Sequence, residues 1–204
     1  MIKKLLLIFC LGLVSCSHTP EQLRVTGPVF GTTYSIIYDS SQNFETAFDS
    51  LFFEINRSMS TYIPTSDISK VNLNETVVID HHFEAVFKTS KEIYTKTQGK
   101  FDPTIGAVVN AWDFGPEGKI EALDSLKINE LMQSVGMDKV NLSNGVISKP
   151  KASRLDFNAI AKGYVVDVIG RYLESKNIQN YLIEIGGEIR AKGINSVKNT
   201  PWKV

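Results

Sequence analysis

Cysteine is nearly missing: Cys10 and Cys16 are the only two in 204 residues. Two thiols cannot build a disulfide-dense scaffold or a four-thiolate zinc site. An excess of either charge is also missing, because 22 Lys+Arg balance 22 Asp+Glu. The chain therefore has no overall attraction for phosphate backbones, and without a local basic patch nucleic acid is excluded as a partner. Nucleotide-binding signatures are absent too. Gly99-Lys100 and Gly118-Lys119 lack the upstream glycine and the following Ser/Thr of a P-loop, and no G-x-G-x-x-G occurs. What is present is ordinary: 43% hydrophobic and 22% charged residues, which excludes a disordered tail or a collagen-like fibre and allows a real core.

The N-terminus is the first informative stretch. Lys3-Lys4 precede an apolar run of ten residues, Leu5 to Val14, and then Ser15-Cys16. Such a run is too short to cross a bilayer as a helix but suits a signal-peptide core. Its ending, Leu13-Val14-Ser15-Cys16, resembles a bacterial lipobox. The expectation is a signal peptide over 1–15, a lipidated tether over 16–21 beginning at Cys16, and one domain over 22–204. Cys10 would leave with the signal, and losing two lysines from a balanced chain leaves a net charge of −2. The mature protein is expected in the bacterial cell envelope, facing the periplasm or the exterior, held to the membrane by several acyl chains because one gives only marginal binding.

Periodicity outlines the rest. Arg24 to Asp39, punctuated by Gly27, Pro28 and Gly31, reads as two strands meeting at a turn. Phe44, Phe48, Leu51, Phe52 and Ile55 mark an amphipathic helix. Asp80 is a good N-cap for a second helix that carries Phe83, Val86, Phe87 and Ile93 and stops at Gly99. A shorter third helix is expected to bury Ile128, Leu131, Met132 and Val135. Asn144-Gly145 signals a hairpin within 140–147. A fourth helix follows from about Ile160 to Glu174, and Tyr181 to Ile185 reads as a buried strand ending in Gly186-Gly187. Helices and strands mix without strict alternation, so the fold class is α+β, a single mixed domain with a β-sheet and packed helices. The histidines are His18 and the neighbours His81-His82. Consecutive helical side chains point in different directions, so the pair reads as solvated rather than ligating or catalytic.

Four polar-aromatic stretches stand at element ends. Met59-Ser60-Thr61-Tyr62 follows the first helix. Phe101-Asp102-Pro103-Thr104 leads to Asn110-Ala111-Trp112-Asp113-Phe114-Gly115, where tryptophan suits either a core or a planar ligand. Asp156 is expected to end a strand, with Lys162 in the first turn of the next helix; free amides at a helix start plus a lysine suit a phosphate, or simply an N-cap and a surface lysine. Glu184-Ile185-Gly186-Gly187-Glu188 suggests a backbone passing tightly by something.

In this order, together with Gly31-Thr32-Thr33-Tyr34, these stretches resemble the ApbE family of flavin transferases, over Gly27 to Val204. Phe30 stands where relatives often have methionine. The resemblance implies an FAD site at Phe30, Tyr62, Ala111, Trp112, Asp113, Asp156 and Lys162, and a Mg²⁺ contact from the carbonyl of Ala159. Tyr62 and Trp112 would offer flat faces to the rings, and Lys162 with its helix start would stabilise the pyrophosphate. The implied reaction is transfer of FMN from FAD to a Ser/Thr hydroxyl of an acceptor protein, releasing AMP. Implied acceptors are redox-pump subunits and FMN-binding domains.

Complete members of the family continue with a His-x-x-Asp-Pro-type segment and an Asp-Ala…Thr segment that supplies metal ligands. Neither follows here, and catalytic residues are expected in that part. The chain as written is thus expected to be C-terminally incomplete and inactive in transfer. Two other readings share the site: a lipoprotein that only binds FAD, and an FAD pyrophosphatase in which water replaces the hydroxyl.

Overall fold

A computed structural model describes residues 21–204. The expected signal peptide and most of the expected tether, with Cys16 and His18, fall on residues 1–20, outside the described part. No helix among the described residues is long and apolar enough to cross a membrane.

Strands Gln22–Val29 (β1) and Thr32–Asp39 (β2) form the expected hairpin, turned at Phe30 and Gly31, both at positive φ. Further along the chain come helices Glu45–Met59 (α1), Asp67–Asn72 (α2), His81–Lys96 (α3), Gly106–Ala111 (α4) and Ser125–Met132 (α5). A small hairpin, Asn141–Ser143 (β3) with Val146–Ser148 (β4), turns at Asn144-Gly145 as its sequence requires. Helix Asn158–Ser175 (α6), strands Tyr181–Ile185 (β5) and Glu188–Lys192 (β6), and a short pair, Ile194–Asn195 (β7) with Thr200–Pro201 (β8), complete the order.

The main sheet runs β1-β2-β5-β6 and is antiparallel throughout. Tyr34, Ile36 and Tyr38 of β2 stand opposite Ile185, Ile183 and Tyr181 of β5. All six are buried, so these alternate residues make one apolar face. Helices α1 and α6 cover that face. Phe48 meets Tyr38 edge-on at 5.8 Å, Phe52 lies 5.0 Å from Tyr34, and Tyr172 of α6 meets both Phe44 and Phe48. Helix α3 packs behind them, with Phe83 against Phe157 at 5.2 Å. One continuous core joins sheet and helices, in agreement with an α+β single domain.

The structure differs from the sequence reading at four places. Helix α5 exists but buries nothing: Ile128, Leu131 and Val135 are half-buried and Met132 is exposed. Its apolar stripe lies along a surface segment where α4 packs beside it but covers it only partly. His82 is buried, at 4% exposure, while His81 points to solvent. Neighbouring residues at a helix start do diverge, and one of the two directions here is inward. Asp156 ends no strand; the backbone beside it makes only an isolated parallel bridge, Ile105 to Arg154. Lys162 is the fifth residue of α6, two residues deeper than expected, because the helix begins at Asn158 rather than about Ile160.

Candidate functional site

The C-terminal half of α1, the turn after it and the first turns of α6 face one another across a cavity of about 710 Å³. That falls within the roughly 300–1,000 Å³ of small-molecule sites. Its floor is apolar, from Phe30, Ile55, Met59 and Val165; Asn56, Asn158 and Lys162 bring polar groups to it. At the rim stand Tyr62, 61% exposed, and Phe114, 74% exposed. The Tyr62 hydroxyl donates to the Phe114 carbonyl at 3.2 Å, linking the turn after α1 to the loop after α4.

Local geometry explains how each side chain arrives. Phe30 sits at φ 49 in the β1–β2 turn and leans on Phe52 of α1, ring centroids 5.8 Å apart. The turn after α1 is braced by Ser66, whose hydroxyl donates to the Ser60 carbonyl at 2.7 Å and caps α2 by accepting from Ser69 N–H. After α4 the chain reverses at Asp113, φ 66, and Phe114 N–H returns to the Val109 carbonyl. This reversal carries Phe114, rather than Trp112, to the cavity.

Lys162 Nζ lies 3.0 Å from Glu188 Oε2 and donates to the Gly186 carbonyl at 3.3 Å. The Glu188 contact lacks hydrogen-bond alignment, so that carboxylate oxygen is enclosed without a hydrogen-bond partner. The Gly186-Gly187 turn explains the close approach. Gly186 has φ 56, and a Cβ there would come within 2.7 Å of Thr32 Cγ2 and 3.4 Å of Lys162 Cδ. The tight passage suggested by the two glycines is real, and what passes is the lysine stem and the β2 strand.

Asp156 lines a second, smaller cavity of about 220 Å³ with Asn72, Asn110, Glu117 and Arg154. Its Oδ1 accepts the Asn158 N–H at 2.7 Å, and its own N–H donates to the Pro103 carbonyl. Burial pushes the Asp156 carboxyl above its ordinary range, opposed by the two bonds from Asn158. The helix start is consequently less open than the sequence suggests. Asn158 N–H is taken by Asp156, and those of Ile160 and Ala161 turn to the Phe157 carbonyl.

The structure thus brings Phe30, Tyr62 and Lys162 to the large cavity and Asp156 to the smaller one. Ala111 is buried, while Trp112, 56% exposed, and Asp113 lie outside both linings. Phe114 escaped the sequence reading because tryptophan two positions earlier carried the stronger aromatic signal. Asn56 gave no signal at all, being one polar residue on an amphipathic helix. The Phe101-Asp102-Pro103-Thr104 stretch is a brace: Thr104 donates to Asp102 Oδ1 at 2.6 Å and accepts Gly136 N–H at 2.7 Å.

The residues present do not fit Mg²⁺ on their own. Among the described residues no three His, Cys, Asp or Glu side chains gather where a metal could be held. Ala159 is exposed as the second residue of α6, where a carbonyl points along the helix toward the N–H four residues on. One such oxygen does not supply the near-octahedral set that Mg²⁺ demands.

Residues 30–204 match the model of the ApbE family. The chain is 34% identical to an FAD:protein FMN transferase of Vibrio cholerae over 203 residues, covering 94% of this chain and 60% of that protein. It is 33% identical to the FAD:protein FMN transferase of Haemophilus influenzae, covering 95% of this chain and 61% of that one. The solved structure of the flavin transferase ApbE from Vibrio cholerae superposes with a TM-score of 0.83 at 35% identity, over 91% of this chain and 63% of that chain. The chain therefore spans about 60% of the length of the curated relatives it matches.

Proposed function

Because this chain belongs to the ApbE family, we propose that its large cavity binds FAD and that the protein serves the transfer of FMN from FAD to an acceptor protein. The observation that carries this reading is the pairing of flat apolar walls with one cation in a single cavity: Phe30, Tyr62 and Phe114 beside Lys162. Aromatic faces suit the flavin and adenine rings. Lys162, shared with Glu188, suits a pyrophosphate that can compete for its ammonium.

In the proposed reaction a Ser/Thr oxygen of the acceptor bonds to the FMN phosphorus. The phosphorus–oxygen bond to AMP breaks, AMP carries away the bonding pair, and the hydroxyl proton is released. Phosphoryl transfer of this kind rests on positioning and charge stabilisation. Here the cavity supplies the positioning: the rings are held against the α1 and α6 walls, and Lys162 stabilises negative charge at the pyrophosphate. Mg²⁺ belongs to the proposed reaction, where it would neutralise pyrophosphate charge. Since the donors present here do not complete its shell, no step is assigned to it. The proposed acceptors are flavin-carrying subunits of redox pumps and FMN-binding domains, met outside the cytoplasm by a lipid-anchored protein.

The lack of a metal-ligand group among the described residues favours a second reading, FAD binding without transfer. One assay separates the two. The chain is incubated with FAD and Mg²⁺, with and without an acceptor domain, and AMP release and protein-bound flavin are followed. Acceptor-dependent flavinylation with stoichiometric AMP supports transfer. Saturable FAD binding with no AMP supports the binder, AMP without bound flavin indicates hydrolysis, and no FAD binding at all refutes the site.

A further inference from the structure

The buried histidine behind the cavity has no part in the reading above. His82 stands in the first turn of α3, enclosed between α1 and α6. Its Nδ1 lies 2.8 Å from the Tyr164 hydroxyl of α6, and its Nε2 lies 3.8 Å from Glu54 Oε2 of α1. The second distance is too long for a hydrogen bond, which leaves Nε2 buried without a hydrogen-bond partner. Each partner adjoins a cavity-wall residue: Glu54 precedes Ile55 and Asn56, and Tyr164 precedes Val165 and follows Lys162 by two. The imidazole thus stands between the two helices that also supply cavity-wall residues.

We infer that His82 is a positioning residue that sets the spacing of α1 and α6, and with it the cavity's affinity for its ligand, according to its protonation state. The inference rests on the proposal that this cavity binds FAD. In the neutral tautomer protonated on Nε2, the one that aims an N–H rather than a lone pair at the Glu54 carboxylate, Nδ1 accepts the Tyr164 O–H and Nε2–H faces the carboxylate without reaching it. Protonation converts Nδ1 to a donor, so the Tyr164 hydroxyl must reverse, and it turns the 3.8 Å contact into an ion pair that draws Glu54 inward.

The surrounding charges fix the sign. Burial and then His81 lower the His82 pKa below its ordinary value, while Asp80 and Glu54 oppose them. Arg57 of α1 is paired with Asp80 at 3.7 Å, and Arg171 of α6 lies over the Tyr164 ring at 5.8 Å, so both cations sit one partner away. The neutral ring is therefore the native form at neutral pH. Cavity geometry changes only as pH falls below about 6.5, the ordinary histidine value.

The test follows FAD affinity by flavin fluorescence between pH 7.5 and 5, together with amide NMR shifts of Ile55, Asn56, Lys162 and Val165 without FAD. The wild-type chain is expected to bind FAD at least threefold more weakly at pH 5, with the four wall amides titrating in step with the His82 ring. In His82→Asn, whose side-chain oxygen can still accept from Tyr164, affinity at pH 7.5 stays within twofold and the pH step disappears. Glu54→Gln, at a largely exposed position, leaves the fold intact and moves the step to lower pH. Wall amides that stay still while the ring titrates overturn the inference, as does an unchanged pH step in either variant. Wall amides that move in a chain that binds no FAD at any pH would uphold His82 as the spacer and refute the FAD site.

Discussion

Tyr62 and Asp156 occupy different cavities, and their replacement should therefore fail differently. Tyr62→Ala removes one rim face and its bond to Phe114 but no core contact, so FAD affinity should fall about 2- to 10-fold, corresponding to about 0.5–1.5 kcal/mol for a stacked aromatic, with thermal stability unchanged. Asp156→Ala removes the acceptor that holds Asn158 at the start of α6. It should weaken FAD binding and also lower stability by about 1 kcal/mol. Titrations beside thermal melts distinguish the two; equal melting temperatures for both variants would contradict the assignment. At this scale the sequence was legible where chemistry and backbone agree. Phe30 and Tyr62 sit at turns that their neighbouring residues specify, and Lys162 lies on a helix whose existence, though not its first residue, the sequence marks. Trp112 was misleading because one residue at positive φ, Asp113, decides whether position 112 or 114 reaches the cavity rim, and no side-chain pattern reports that choice.

Helix α3 is anchored by its cap. Asp80 Oδ1 accepts both the Phe83 N–H and the Ser58 hydroxyl at 2.9 Å, tying the start of α3 to α1. Asp80→Ala should lower stability by about 1–2 kcal/mol, a drop in melting temperature of about 2–8 °C for a chain this long. Circular dichroism melts would check it, and Asp80→Asn should recover most of the loss. The cap, the β3–β4 turn and the Gly186-Gly187 turn were all readable as elements, because each depends on a residue type with one local use. Helices α2 and α4 were not, being six residues each, too short for a 3.6-residue period to stand out. Helix α5 shows the converse: a correct period whose apolar side, packed beside α4, stays only half-covered.

Across the molecule, the sheet, α1, α3 and α6 share one core, so no part can loosen without exposing apolar surface of the others. The ion cluster of Arg190 with Asp167 and Glu174, at 2.7 and 2.9 Å, further clamps α6 to β6. Unfolding of residues 22–204 should accordingly be a single cooperative transition. Far-ultraviolet dichroism, reporting helices, and near-ultraviolet dichroism, reporting the packing of the core aromatics, should give superimposable urea curves; separated midpoints would show two folding units. The α+β class followed from the order of elements in the sequence. Which helices face the sheet did not, since α1 and α3 have equally regular stripes and only the long-range pairing of β2 with β5 decides between them.

The single hydrogen bond between Tyr62 and the Phe114 carbonyl also bears on how quickly a ligand can come and go. An exposed bond of this kind contributes about 0.5–1.5 kcal/mol, so the rim would stand parted for about 7–30% of the time even when the cavity is empty. The closed rim then slows passage about 3- to 14-fold, and beyond that factor the residence time of a bound ligand depends on its hold on the walls. Tyr62→Phe, which keeps the ring and cuts the latch, should speed association and dissociation by a similar factor in stopped-flow traces while the dissociation constant stays nearly constant.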